Sequence, residues 1–176
     1  MKRFDDIIVF YNYCADIINE NITSIQSLTT NEKITYFRNF VENTILNTYF
    51  IVGEISENIK HKINANTKII KLSVDSMIKN ILEHPEINIK EYNDLHNYIN
   101  NSEYILKKNN KNLIYFKIDN KIYQFVIKRT QNGNELFITT FHKASLNQLN
   151  KDINRYEILN KKDSSDYEDS KYPSVT

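Results

Sequence analysis

The chain has 176 residues, of which 40% are hydrophobic and 26% charged, and its formal net charge is +1 at pH 7; this composition is typical of a globular protein and excludes wholesale disorder. One cysteine excludes an internal disulfide or a thiolate metal cluster, and two glycines are too few for a Walker loop or a Gly-rich dinucleotide turn. No stretch is apolar enough to cross a bilayer, and the first residues lack the pattern of a signal peptide, so we expect a cytoplasmic protein without membrane contacts.

Residues 1–62 are predicted to form a helical N-terminal region. Apolar residues at helical spacing predict a first helix over residues 4–20. A capping signal at residues 29–32 begins a second helix, which the pattern extends towards Ile59. Two such helices predict an αα-hairpin. Neither helix contains side chains that point to chemistry, so we expect this region to be accessory or to bind a partner such as an inhibitor.

Residues 63–160 are predicted to form an α+β domain whose first part is mainly helical. A β-branched run at residues 67–72 predicts a strand. Ser73 is placed to cap a helix that ends before Pro85. A further short helix is expected over residues 89–99.

The second part of this domain is predicted to be an antiparallel meander. From Tyr104 onward the period of apolar residues changes from 3.6 to 2. Strands are predicted at residues 112–118, 121–129 and 134–142, with residues 103–107 as a candidate fourth strand. A last helix is expected to reach Leu159, and the polar tail, residues 161–176, is expected to be disordered.

Alternation within the meander assigns its side chains to two faces. Turns at residues 119–120 and 130–133 set the register, so that Phe116 lies opposite Tyr123. One face is then apolar and covered by helices; it contains Ile114, Phe116, Tyr123, Phe125, Ile127, Leu136 and Ile138. The opposite face carries Tyr115, Lys117, Gln124, Lys128, Thr139 and Phe141, with His142 just past its end. The assignment depends on the register, because a slip of one residue exchanges the two faces.

Basic side chains are concentrated in the meander. Residues 104–143 hold eight basic and two acidic side chains, a net charge of +6. Such a segment is typical of a protein that binds a polyanion such as RNA, although lysines on exposed strands also form solvated surface that protects sheet edges. The two acidic residues, Asp119 and Glu135, do not make the carboxylate cluster of a metal-dependent nuclease, so we expect no metal and no cofactor.

The predicted polar face contains the groups that metal-independent RNA cleavage requires. Attack by the 2′-OH of the RNA needs a base, a cation near the phosphate oxygens and an acid at the leaving oxygen. The candidates are Lys128 or Arg129 for the phosphate, Thr139 or Thr140 as hydrogen-bond donor, and His142 for proton exchange. Base stacking is assigned to Tyr115 and Phe141, and further RNA contacts to Lys79, Lys117, Gln124 and Lys143. Each also has an ordinary alternative as surface charge, strand former or core aromatic.

Three segments between Ser73 and Ser145 resemble a known family. They are SMIKNILEHPEI (76–87), YNDLHNYINNSEYILKK (92–108) and LFITTFHKAS (136–145). Together they resemble the phage-associated nuclease domains grouped with barnase, EndoU, colicin-type tRNases and RelE. The resemblance implies a helix-then-sheet ribonuclease with His84, a basic strand residue (Lys128 or Arg129) and Thr139 near the active cleft. By itself, His84 before a proline is typical of a helix C-cap.

The sequence thus predicts a small metal-independent ribonuclease that acts on RNA such as tRNA, in a toxin, phage or phage-defence setting. One alternative is a non-enzymatic phage-type inhibitor that docks its basic sheet onto a nucleic acid or a nucleoprotein complex. Another is a structural accessory protein that uses its N-terminal helices. Convergence of His84, Lys128 and Thr139 on one cleft favours the enzyme, and dispersal favours the binding protein.

Overall fold

Eight strands and eight helices make up residues 2–45 and 48–162, the part of the chain that the computed structural model describes. The strands are β1 (Lys2–Phe4), β2 (Thr48–Glu54), β3 (Ile69–Ser73), β4 (Tyr104–Lys107), β5 (Asn112–Ile118), β6 (Ile122–Arg129), β7 (Leu136–Ala144) and β8 (Glu157–Lys161). The helices are α1 (Ile7–Glu20), α2 (Ile22–Ile25), α3 (Thr30–Thr44), α4 (Glu57–Lys62), α5 (Val74–Glu83), α6 (Ile89–Asn93), α7 (Leu95–Asn100) and α8 (Leu146–Arg155). The predicted disordered tail lies outside the described residues from residue 163 onward.

All eight strands belong to one mixed sheet, in the order β1-β2-β3-β7-β6-β5-β4-β8. The β1–β2 and β3–β7 pairs are parallel, and the remaining pairs are antiparallel. The predicted α+β class and the predicted meander of β5, β6 and β7 are therefore confirmed. Strands β1 and β2 come from residues 1–62, so this region contributes to the same sheet as the meander.

The N-terminal helices form largely as predicted, but the second is shorter. Thr29 and Glu32 form the reciprocal capping box that begins α3. The expected extension of this helix to Ile59 is wrong, because residues 48–54 form β2 and pair with β3. Gly53 lies at a shift of that register, where a Cβ atom would come within 3.2 Å of Asn100 and Ile99 of α7. Instead of forming an isolated αα-hairpin, α1 and α3 each pack against α5.

The prediction for α5 is confirmed at both ends. The Ser73 side chain accepts a hydrogen bond from the Ser76 backbone N–H, and the helix ends at Glu83, with His84 as its C-cap before Pro85.

Two later helices differ from their predictions. The helix expected over residues 89–99 is two short helices, α6 and α7. The last helix is also shorter than expected, because the chain turns into β8 after α8.

The register between β5 and β6 differs from the predicted one by a single residue. Tyr115 lies opposite Phe125, and Phe116 opposite Gln124, because the turn has three residues and is closed by a hydrogen bond from Asp119 N to Lys121 O. The predicted faces are therefore wrong along β5. Tyr115 lies in the main core, while Ile114 and Phe116 form a smaller core under α8, together with Leu106 and Leu149.

A β-bulge at Thr139 reverses the sides of the sheet to which the side chains of the second half of β7 point. Val126 lies opposite Thr140, whereas Ile127 lies opposite Ile138, so that Thr139 is the extra residue. As a result, Phe141 faces the main core, where its ring stacks on that of Phe125 with centroids 4.5 Å apart. Its predicted position on the opposite face is wrong. His142, which follows Phe141, points to the side of the sheet that carries α8.

The sheet thus separates two apolar cores. The main core lies under α1, α3, α5, α6 and α7, and the smaller one under α8. Within the described residues, no helix has the length and apolar character needed to cross a membrane.

Candidate active site

Helix α5 takes the place of a neighbouring strand along the second half of β7. Strand β3 pairs with β7 only at two positions near its start. Beyond them, Asn80 Oδ1 accepts a hydrogen bond from Phe141 N (3.2 Å), and Lys79 Nζ donates to Thr139 O (3.3 Å). Because buried backbone groups must find partners, these two side chains satisfy an edge that would otherwise be open. The same contacts bring the end of α5 beside His142.

Two stacked histidines lie at this junction. The imidazole of His84, at the C-cap of α5, lies 5.0 Å from that of His142 on β7, with 24° between the ring planes. Both rings are partly exposed. Among the described residues, His142 Nδ1 is buried and has no hydrogen-bond partner. A buried ring nitrogen without a partner is uncommon, and it marks this junction as a candidate site for proton transfer.

Charged side chains surround the histidine pair. Glu86 Oε1 lies 3.4 Å from His84 Nδ1, and Glu83 Oε2 lies 3.9 Å from His84 Nε2. Lys79 Nζ lies 3.6 Å from the same Glu83 carboxylate. On the side of α8, Asp152 is buried and accepts a hydrogen bond from Gln124. The pair thus lies between carboxylates and one ammonium group.

The pKa of His142 is lowered from its ordinary value. Burial of the ring is the main cause, and the neighbouring His84 adds to it, whereas the carboxylates of Glu86 and Asp152 act in the opposite direction. A lowered pKa means that His142 is neutral at pH 7. It can therefore accept a proton, as a general base must.

The lowered pKa predicts a loss of stability in weak acid. Below about pH 6.5 the unfolded chain protonates His142, whereas the folded chain resists protonation, so the free energy of unfolding falls as the pH falls. In His142→Gln this part of the pH dependence should disappear. Urea denaturation of both proteins between pH 7.5 and 5 measures it, with His61→Gln, at an exposed position of α4, as control. Equal pH dependence in wild type and His142→Gln would contradict the environment described for His142.

A basic depression lies further along β7, at the end remote from α8. It has a volume of about 380 Å³, and Lys128, Arg129, Phe137 and Thr139 are among its lining residues. The Arg129 guanidinium donates to the carbonyls of Thr130 and Gln131 at 3.2 Å each, so it holds the β6–β7 turn. The Lys128 side chain is exposed.

Thr139 connects the depression with the histidine pair. Its side chain lines the depression and donates to Val126 O, while its backbone carbonyl accepts from Lys79 Nζ. Of the predicted residues, Thr139 lies on β7, His84 at the end of α5 beside β7, and Lys128 on the neighbouring strand β6. They do not share one cleft, because His84 and Lys128 lie on either side of Thr139.

Several residues predicted to contact RNA are buried or paired with other side chains of the protein. Tyr115 and Phe141 are 2% and 1% exposed, respectively, so neither can stack on a base. The buried Lys117 Nζ lies 2.6 Å from Glu103 Oε1. Gln124 is buried under α8, and Lys143 is held by Glu91 (2.9 Å) and the Glu86 carbonyl (2.6 Å). Tyr115, Lys117, Gln124 and Phe141 are therefore buried, and the ammonium group of Lys143 is already paired with Glu91.

Sequence reasoning missed Phe137, the half-buried aromatic residue of the depression. A signal was present, because Leu136, Phe137 and Ile138 are consecutive apolar residues in a strand, and the middle one must face away from its neighbours. The sequence also does not reveal that Asn80 and Lys79 link α5 to β7. Nothing in a sequence predicts which strand edge a helix will cover.

Comparison with known proteins adds no further information on function. No family model matches the chain, and no curated protein or solved structure matches it significantly. In the part of the chain that the structure describes, no group of three or more His, Cys, Asp or Glu side chains is arranged to hold a metal ion. The functional assignment therefore depends on the side chains of the site itself.

Proposed function

We propose that the protein is a metal-independent ribonuclease that cleaves RNA through attack by the RNA's own 2′-OH. The observation that carries the proposal is the stacked pair of His84 and His142, with Lys79 beside it. Such a reaction moves two protons, one from the attacking hydroxyl and one to the leaving oxygen. Two neighbouring imidazoles can carry out both transfers at one phosphodiester.

Each histidine takes one of these proton transfers in the proposed mechanism. His142 is neutral and accepts the proton of the 2′-OH as its oxygen attacks phosphorus. His84, flanked by the carboxylates of Glu83 and Glu86, donates a proton to the 5′-oxygen as the P–O5′ bond breaks. Lys79 balances the charge that develops on the non-bridging phosphate oxygens. The products are a 2′,3′-cyclic phosphate and a 5′-hydroxyl end.

The resemblance noted between Ser73 and Ser145 supports the same class of activity. The order of α5 followed by the meander agrees with the helix-then-sheet arrangement that the resemblance implies. Within this proposal, the protein acts on RNA such as tRNA in a toxin or phage-defence setting. Helices α1 and α3 are the surface at which an inhibitor would bind.

The proposed mechanism predicts cleavage without metal. Purified protein incubated with a tRNA transcript should cleave it equally well with or without excess EDTA. The new 3′ ends should carry a 2′,3′-cyclic phosphate, and an RNA with 2′-O-methyl groups at the cleaved positions should stay intact. Gel analysis of end-labelled RNA measures both. A requirement for Mg²⁺ together with 5′-phosphate products would contradict the mechanism.

A non-enzymatic binding function is the second candidate. It is favoured because His84, Thr139 and Lys128 do not share one cleft, and the basic depression lies apart from the histidine pair. In this case the protein binds a nucleic acid or nucleoprotein without cleaving it. The same incubation distinguishes the two, because stable binding with intact RNA supports the binding protein.

A further inference from the structure

A cross-strand row of side chains lies on the sheet face opposite the main core. Lys71 of β3 lies opposite Phe137 of β7, and Phe137 lies opposite Lys128 of β6. Paired residues on neighbouring strands point to the same side, so an aromatic ring is placed between two lysines. Helix α8 covers the other end of this face, over Ile114 and Phe116.

The two lysines differ in whether their ammonium groups have partners within the protein. Among residues 2–45 and 48–162, no hydrogen-bond or ion-pair partner holds the Lys128 ammonium group. Lys71 Nζ lies 3.2 Å from Glu135 Oε1 and 4.4 Å from the centre of the Tyr49 ring. The row therefore offers one free cation, one partly neutralised cation and a half-buried aromatic ring between them.

This combination suits an unpaired nucleotide. Any of the four bases can stack on an aromatic ring, and the phosphates of the nucleotide backbone can bind to neighbouring lysines. Adjacent strands are about 4.8 Å apart, so the two lysines can bind phosphates on either side of one stacked base. A double helix keeps its bases stacked on each other and does not offer them to a sheet.

We infer that the Lys71–Phe137–Lys128 row binds single-stranded RNA, with one base stacked on Phe137 and a phosphate on Lys128. The inference rests on the proposed ribonuclease function for the identity of its ligand. It specifies the substrate as RNA with unpaired nucleotides.

The row also lies at a distance from the histidine pair. Phe137 and His142 are five residues apart on β7, a separation of about 15 Å. The stacked base therefore belongs to a nucleotide other than those joined by the cleaved bond. An oligonucleotide is consequently expected to be a better substrate than a dinucleotide, and this advantage should require Phe137.

The test measures binding separately from cleavage. The probe is a fluorescent 2′-O-methyl oligoadenylate of ten nucleotides, which lacks the attacking hydroxyl, and its anisotropy reports the Kd. Phe137→Ala and Phe137→Leu should weaken binding by roughly 5- to 150-fold, because both remove the stacking ring. Phe137→Tyr keeps the ring and should bind as the wild type does. The Leu and Tyr variants maintain an apolar contact in case the alanine variant folds poorly.

Charge variants test the lysines. Lys128→Ala should weaken binding and lower the slope of log Kd against log salt by about 0.7, the value for one phosphate on a single strand. Lys90→Ala, at an exposed position of α6, is the matched control and should leave the slope unchanged. Glu135→Gln removes the ion-pair partner of Lys71 and should tighten binding.

The outcomes separate the inference from the proposed function. If RNA is cleaved but all Phe137 variants bind the probe normally, the inference is overturned and the ribonuclease remains. If the probe binds in a manner that depends on Phe137 and Lys128 but no RNA is cleaved, the row is supported and the ribonuclease is wrong. Equal affinity for a ten-base-pair RNA duplex would overturn the assignment to single strands.

Discussion

His84→Ala is expected to lower the rate of RNA cleavage by about 10²–10⁴-fold, the usual contribution of a positioned proton-transfer group. His142→Ala should lower it to a similar extent, since the two rings act on one phosphodiester. Stability should change little in His84→Ala, because the ring is partly exposed and a helix-capping interaction contributes about 1 kcal/mol. Initial rates on a tRNA transcript, corrected for the folded fraction, measure the effect.

The pH dependence of the rate provides a second readout of the same pair. If neutral His142 is the base, the rate should rise as the pH rises through the lowered pKa of His142. His142→Ala should lose this rise. His61→Ala, which removes an exposed histidine of α4, is the control and should cleave as the wild type does. Normal rates in both site variants would show that the histidine pair does not carry out the proton transfers.

Phe141→Ala is expected to destabilise the protein by about 3–5 kcal/mol, the usual effect of removing a buried aromatic ring. Phe141 is 1% exposed, and its ring contacts those of Phe125, Tyr92 and Tyr123 with centroids 4.5, 5.4 and 5.9 Å away. Urea denaturation followed by circular dichroism measures the change. Phe137→Ala should have a smaller effect, since that ring is only half-buried.

The comparison of Phe141 with Phe137 also tests the bulge at Thr139. With the bulge, Phe141 faces the core and Phe137 faces the open side of the sheet. Without it, alternation would place these two rings on the same face. A Phe141→Ala variant that keeps its stability but loses RNA binding would therefore show that the register of β7 is wrong.

Local features of the fold could be predicted from the sequence, because they depend on neighbouring residues. The caps at Thr29 and Ser73, the stop before Pro85 and the strands of the meander are of this kind. The segment after α3 could not be predicted. Its apolar residues fit both a helix and a strand, and only pairing with β3 decides between them.

The prediction of which side chains share a face of the meander was wrong for a different reason. A turn of three residues replaced the expected turn of two, and one extra residue entered β7 at Thr139. Each change inverts the alternation beyond it. The predicted alternation therefore places Tyr115 and Phe141 on the RNA-binding face, although they belong to the core.

The sequence identified the residues of the candidate site, but it did not predict how they are arranged. His84 and His142 were both identified, one through a resemblance and the other through its place after a strand. Their contact depends on Lys79 and Asn80, which fasten α5 to the edge of β7. Such a contact between distant parts of the chain is set by the packing of the whole domain and leaves no pattern in the sequence.

The sheet order has a consequence for how the chain reaches its folded state. The seam between β3 and β7 joins the two halves of the sheet, yet Leu136 follows its partner Ile70 by 66 residues. During synthesis at about 5–20 residues per second, the edge of β3 waits roughly 3 to 13 s for its partner. The hairpins of the meander are local and form within about 10 μs. Closure of the central seam is therefore a late event, and until then the newly made N-terminal half exposes a strand edge to other chains.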